Sequence, residues 1–118
     1  MADQGLQIEL APSTPNGPRI LQFAGALALP TLFQFQTTMR AEPAPVTILD
    51  LTSLTYMDSA GLGALVGAFV SARAGQRKIV LVGVPERVAV LMDMTHVRSL
   101  IPSYATLDLA LAALAGEN

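Results

Sequence analysis

Hydrophobic positions change their period several times along the chain, and each change predicts an element. Leu6, Ile8 and Leu10 alternate with Gln7 and Glu9, which predicts a half-buried strand over 6–10. Residues 12–18 hold only Pro, Ser, Thr, Asn and Gly, the composition of a hairpin loop. A second short strand is expected over 19–23, punctuated by Gly25. Pro30 suits a first helical turn, where its missing N–H costs nothing. A helix is therefore predicted over 30–40, with Leu32, Phe33 and Phe35 as its apolar set, broken by Glu42, Pro43 and Pro45.

Val46, Thr47, Ile48, Leu49 and Leu51 form a β-branched, apolar run expected to be a central strand buried on both faces. Residues 59–74 are the longest helical stretch, closed by Gly75 as its C′ glycine. KIVLV at 78–82 reads as another buried strand, and Gly83 and Pro85 turn the chain. A helix follows over 85–94 with Val88, Leu91 and Met92 on one side. Residues 99–101 are expected as a short edge strand before Pro102, and Thr106 as the N-cap of a final helix bearing Leu107, Leu109, Leu111 and Leu114. This alternation predicts an α/β fold: a mixed sheet of about four to five strands with about four helices packed on it and right-handed crossovers. No internal repeat appears, and residues 1–118 are expected to form one domain.

Composition narrows the function. The chain has 118 residues, 52% of them apolar, enough for a real core. Seven Lys and Arg against nine Asp and Glu leave a charge of −2, with no basic patch to hold nucleic acid. Cysteine is absent, which removes disulfides, thiolate nucleophiles and Cys-ligated metal. His96 is the one histidine, and Asp50, Asp58 and Asp93 lack the spacing of a calcium loop, so neither metal nor cofactor is expected. The three aspartates read as a strand end, a loop and a helix surface, and His96 as an exposed or capping residue after the third helix. Residues 20–39 are uncharged and about as long as a membrane span. Their glutamines and Pro30 instead indicate strand, turn and helix, with no membrane insertion. The N-terminus has no leader pattern, and a cytoplasmic location is expected.

Chemistry concentrates after the central strand, in Tyr56-Met57-Asp58-Ser59-Ala60-Gly61-Leu62-Gly63. A loop between a buried strand and a helix is where α/β sheets present functional groups. Ser59 falls where the helix begins, and unpaired N–H groups there would tolerate a phosphate. The alternative is that Ser59 only caps the helix and the glycines only turn the chain. Catalysis finds little support. Ser59 is not in G-x-S-x-G, nothing brings His96 to it, and Val66 stands where a dinucleotide fingerprint needs its last glycine.

The helix from Ser59 has two unlike sides. Leu62, Leu65, Val66, Phe69 and Arg73 share one; Ala60, Gly63, Ala64, Gly67, Ala68 and Ser71 share the other. An ordinary surface helix would carry Glu and Lys on the second side. That smooth face is either a partner-docking surface beginning at Ser59 or an internal contact with a neighbouring helix.

The stretch from Val46 to Gly63, with its strand, Asp50-Leu51, apolar spacer and Asp58-Ser59-Ala60-Gly61-Leu62, resembles the signature of STAS domains of the anti-sigma factor antagonist type. Val84-Pro85-Glu86-Arg87-Val88 and Leu91-Met92-Asp93-Met94-Thr95 resemble the family's third helix. The resemblance implies a regulatory protein-binding module and not an enzyme. It implies that Ser59 is phosphorylated by a serine kinase that is itself the anti-sigma factor, and that a phosphatase reverses this. The unphosphorylated protein would bind that kinase and free the sigma factor. Asp58, Ser59, Ala60, Gly61, Leu62, Gly63 and Gly67 are the expected partner-binding residues. Where the family often has Gly-Glu-Leu-Asp, this chain has Gly25-Ala26-Leu27-Ala28, which implies an altered kinase-facing surface. Ala60 replaces a frequent second serine, and His96-Val97 stands where Gly-Leu is common. STAS domains also serve as accessory subunits of membrane transport complexes, a role that needs no phosphoswitch; a nucleotide-binding module is the third reading.

Overall fold

The computed structural model describes residues 5–12, 17–41 and 44–116. Strands β1 (Leu6–Leu10), β2 (Arg19–Leu27), β3 (Val46–Met57), β4 (Lys78–Val82) and β5 (Ser103–Tyr104) form one sheet in that order. β1 runs antiparallel to β2, and the other neighbours are parallel. Helices α1 (Leu32–Arg40), α2 (Ser59–Ala74), α3 (Glu86–Met94) and α4 (Leu107–Ala115) alternate with the strands. The α/β architecture expected from the pattern is the one present. Most of the 12–18 loop lies outside the described residues. The uncharged run 20–39 is β2, a 3₁₀ turn at Leu29–Thr31 carrying Pro30, and α1. No helix among the described residues is long and apolar enough to cross a membrane.

Two-residue alternation divides the strands between two cores. Leu49, Leu51, Ile79 and Leu81 face α1, α2 and α3, with Phe35, Leu65 and Met92 among their partners. Ile48, Val80 and Val82 face α4, against Ala110. The rings of Phe23 and Phe35 meet at 5.9 Å, tilted by 50°, a favourable edge-on arrangement.

Several elements differ from the expectation, each for a local reason. β3 continues six residues beyond Leu51, to Met57. Its buried positions run Leu49, Leu51, Leu54, Met57, because the pairing with β2 slips twice along this stretch. Each slip gives β3 an extra residue, and a bulge converts a period of two into a local period of three. Asp50 therefore lies inside the strand, where its Oδ1 accepts from the Thr52 N–H and hydroxyl at 3.0 and 2.6 Å. β2 likewise passes through Gly25, which has φ +98° and lies against β1; a Cβ there would stand 2.2 Å from the Gly5 carbonyl oxygen. Phe33 is 80% exposed. The apolar stripe of α1 is Leu32, Phe35 and Met39, and Phe33 is about 200° around from Phe35. Pairing with β4 starts only after Pro102, at Ser103, and 99–101 form no strand. Pro102 has no N–H to give; its carbonyl accepts from Leu81 N–H at 2.9 Å.

The helix ends carry a further correction. Gly75 is at the C-cap with φ −90°, and Gln76 takes the left-handed position at φ 60°. The N–H groups of Gln76 and Arg77 reach the Arg73 and Ala72 carbonyls at 3.0 and 2.7 Å, a Schellman closure whose C′ residue is Gln76. α3 ends the same way. His96, exposed as expected, has φ 61°, with its own N–H and that of Val97 closing on Asp93 and Met92 at 3.2 and 2.9 Å. A side chain in this region costs about 1–2 kcal/mol. Gln76→Gly and His96→Gly should each stabilise the chain by about 0.5–1 kcal/mol, net of the extra freedom glycine gives the unfolded state. Urea midpoints should rise at constant m-value; an unchanged midpoint would show that neither side chain is strained.

Candidate functional site

Because β3 runs on to Met57, a single residue, Asp58, separates the central strand from α2. Asp58 is extended, at φ −101° and ψ −179°, the backbone of an N-cap. Its Oδ1 accepts from Gly61 N–H at 2.7 Å, and its Oδ2 from Leu29 N–H at 3.1 Å. One carboxylate thus ties the start of α2 to the start of the 3₁₀ turn that leads into α1. That turn begins at Ala28, which has no capping group of its own; Thr31 Oγ1 accepts from Ala28 N–H at 3.1 Å, and Asp58 takes the next N–H.

Replacing Asp58 by Ala removes both acceptors at once and should cost about 2 kcal/mol of stability. Asp58→Asn keeps one carbonyl oxygen and should cost about half as much. Equal stability of Asp58→Ala and wild type in urea would remove the clamp from this account.

Ser59 is not the cap. It is the first residue of α2 and is exposed. The cap belongs to Asp58, so the Ser59 hydroxyl is not spent on closing the helix. The N–H groups of Ser59 and Ala60 have no intrahelical acceptor, as at any helix start. A phosphate on Ser59 would sit at the positive end of the α2 dipole, one residue from the Asp58 carboxylate.

The other expected partner-binding residues separate into two groups. Gly61 and Leu62 are buried and cannot meet a partner. Gly61 lets α2 start against the end of β2: a Cβ there would lie 2.0 Å from the Leu27 carbonyl oxygen. Ala60 is half-buried, and Gly63 and Gly67 are exposed. A Cβ at Gly63 or Gly67 would meet nothing within 4 Å. The small-residue side of α2 is therefore open at these two glycines, and no backbone among the described residues closes on them.

Ala26 and Ala28, in place of the family's acids, are buried at 3% and 5% exposure. The sequence reading missed an apolar group next to them. Leu29, whose N–H is held by Asp58, is 67% exposed; Phe33 lies four residues on, and Tyr56, two residues before Asp58, is 47% exposed. The signal was available for Phe33, because it falls opposite Phe35 on the helical wheel. For Leu29 and Tyr56 it was not, since their neighbours are defined by the 3₁₀ turn and the bulged end of β3.

A family model described as STAS domain matches residues 11–110. The anti-sigma-B factor antagonist of Listeria monocytogenes is 45% identical over 53 residues, 45% of this chain and 46% of that protein. The matched segment thus spans about half the length of that relative. In fold, the chain is similar to an anti-sigma factor antagonist from Mycobacterium paratuberculosis, with TM-score 0.77, 20% identity and 97% of each chain covered. It is also similar to a sulfate transporter family protein from Wolinella succinogenes, with TM-score 0.75, 20% identity, 88% of this chain and 89% of the other.

Proposed function

The chain belongs to the STAS domain family, and from that premise we propose that it is an anti-sigma factor antagonist whose grip on a protein partner is released by phosphorylation of Ser59. The observation that carries this reading is the division of labour at the start of α2. Asp58 caps the helix, and the neighbouring serine stands exposed at its first position. Likeness to the Listeria relative, an anti-sigma-B factor antagonist, supports an anti-sigma factor as the partner class; that this factor is also a serine kinase is what the family resemblance implies. A phosphatase would return Ser59 to its binding form.

The docking surface in this reading is Ser59 and Ala60, the open glycines Gly63 and Gly67, and the exposed Leu29 and Phe33 beside them. It pairs an apolar area with a small, uncharged helix face, so a partner can approach closely and lose water there. Asp58 contributes through its clamp and its charge, and Gly61 and Leu62 only by holding α2 in place. The reading needs no catalytic step.

Affinity capture from the lysate of the native cell, with wild type and Ser59→Asp as baits, tests the proposal. A kinase-like protein held by wild type and lost by Ser59→Asp is the expected result. Likeness to a transporter family protein favours a second reading, an accessory subunit of a membrane transport complex. That reading predicts a membrane transport component held equally by both baits.

A further inference from the structure

Away from Ser59, a cleft of about 430 Å³ opens between α1 and the far part of α2, a size typical of sites for small organic ligands. Its accessible apolar side chains are Met39, Ala64 and Ala68, over the buried Phe35 and Ile79. Arg19, Arg40, Arg77 and Lys78 also line it. These are four of the seven cations in a chain whose net charge is −2, and no acidic residue is among the described residues lining the cleft. The sequence conceals this convergence. Arg19 begins β2, Arg40 ends α1, Arg77 immediately precedes β4 and Lys78 begins it. Parallel strands start at one edge of the sheet, and the crossover helices end at that same edge, so the four are brought together.

The cations differ in what they do. Arg19 is structural: its guanidinium donates to Thr47 Oγ1 at 3.2 Å and to the Met39 and Ala41 carbonyls at the end of α1. Among the described residues, neither Arg40 nor Arg77 is held by a carboxylate. Gly63, Gly67 and Ser71 form the α2 side of the cleft. The absence of side chains at the two glycines is what leaves the space.

We propose that this cleft binds a small amphipathic anion, a carboxylate on an apolar body, with Arg40 and Arg77 at the head group and the half-buried Met39, Ala64 and Ala68 at the body. An arginine pair suits a carboxylate because each guanidinium offers paired donors. The apolar surfaces reward a ligand with a hydrocarbon body, which free acetate lacks. The cleft shares Gly63 and Gly67 with the proposed docking surface, but its test reads decanoate binding alone, so it fails or succeeds separately from the partner-switch reading.

Decanoate is the probe, titrated by calorimetry into the full chain, with decanol and acetate alongside. Amide shifts in the labelled protein locate the binding. Saturable decanoate binding that shifts Gly67 and Ser71, with decanol and acetate each at least about tenfold weaker, is the expected result. Gly67→Leu has open space for its side chain and should keep the fold while weakening decanoate at least about tenfold by filling the cleft. The double variant Arg40→Ala, Arg77→Ala should do the same by removing the head-group donors. Decanol binding as tightly as decanoate overturns the proposal. So does decanoate binding that ignores these variants, or the absence of saturation up to about 1 mM.

Discussion

Ser59→Asp should bind the captured partner about a hundredfold more weakly than wild type, a change of about 2.7 kcal/mol, and should melt no lower. The two halves of this expectation come from one geometry. Within the free chain, an added negative charge at the first position of α2 meets the positive end of the helix. That attraction offsets repulsion from Asp58, whose carboxylate is already committed to the Gly61 and Leu29 N–H groups. The folded state therefore loses nothing. In the complex, the same charge is pressed into a largely apolar surface that already holds the Asp58 carboxylate. There it must shed water without gaining a partner. A phosphate carries nearly two charges, so modification should weaken binding at least as much as aspartate does. Ser59→Ala should bind within a few-fold of wild type and stop responding to the kinase. Surface plasmon resonance and thermal melts on the three proteins settle this together. Equal binding by Ser59→Asp and wild type removes the switch; a lowered melting temperature with weak binding assigns the loss to folding instead.

Much of this site could be read from the chain, and what could not has identifiable causes. The helix start at 59 and the strand before it stand out because both have strong periodicity. The limits of that strand do not, because two bulges in β3 break the alternation after Leu51. Without the bulges, Met57 could not be recognised as a strand residue, nor Asp58 as the one-residue link and cap. Sequence places Asp58 and Ser59 side by side and cannot say which closes the helix. The choice is made by Leu29, a residue 29 positions away whose N–H donates to the Asp58 carboxylate. The cleft cations were beyond pattern reading for a similar reason, since only the topology brings Arg19, Arg40 and Arg77 to one edge. Glycines show the same limit: three of them lie within seven residues of α2; helical spacing put only Gly63 and Gly67 on the smooth side, and the family resemblance added Gly61, which is buried.

Those glycines should respond to alanine with opposite signs. Gly63→Ala is expected to stabilise the chain by about 1 kcal/mol, because alanine is the better helix former and its methyl enters open space. Gly61→Ala gains the same helix propensity and loses far more. Its methyl would lie 2.0 Å from the Leu27 carbonyl oxygen and 2.7 Å from the carbonyl carbon. Those atoms belong to the backbone of β2, which is paired to β3 at Leu27 and Met57, so they cannot swing aside as a side chain would. Relief requires α2 to move off the sheet, opening space under Leu62 and Leu65, both buried. A methyl forced into a packed core costs about 1–3 kcal/mol, and a fixed backbone obstacle belongs at the upper end. The net destabilisation should be about 2 kcal/mol, a swing of about 3 kcal/mol between two alanines two residues apart on one helix. Shifting α2 also displaces Asp58 and Ser59 at its start. Gly61→Ala should therefore lose partner binding without altering any surface residue, in proportion to its loss of stability. Urea unfolding of both variants measures the swing. Destabilisation of Gly61→Ala by less than about 0.5 kcal/mol would mean that α2 does not rest on the end of β2, and that the site owes its shape to something other than this contact.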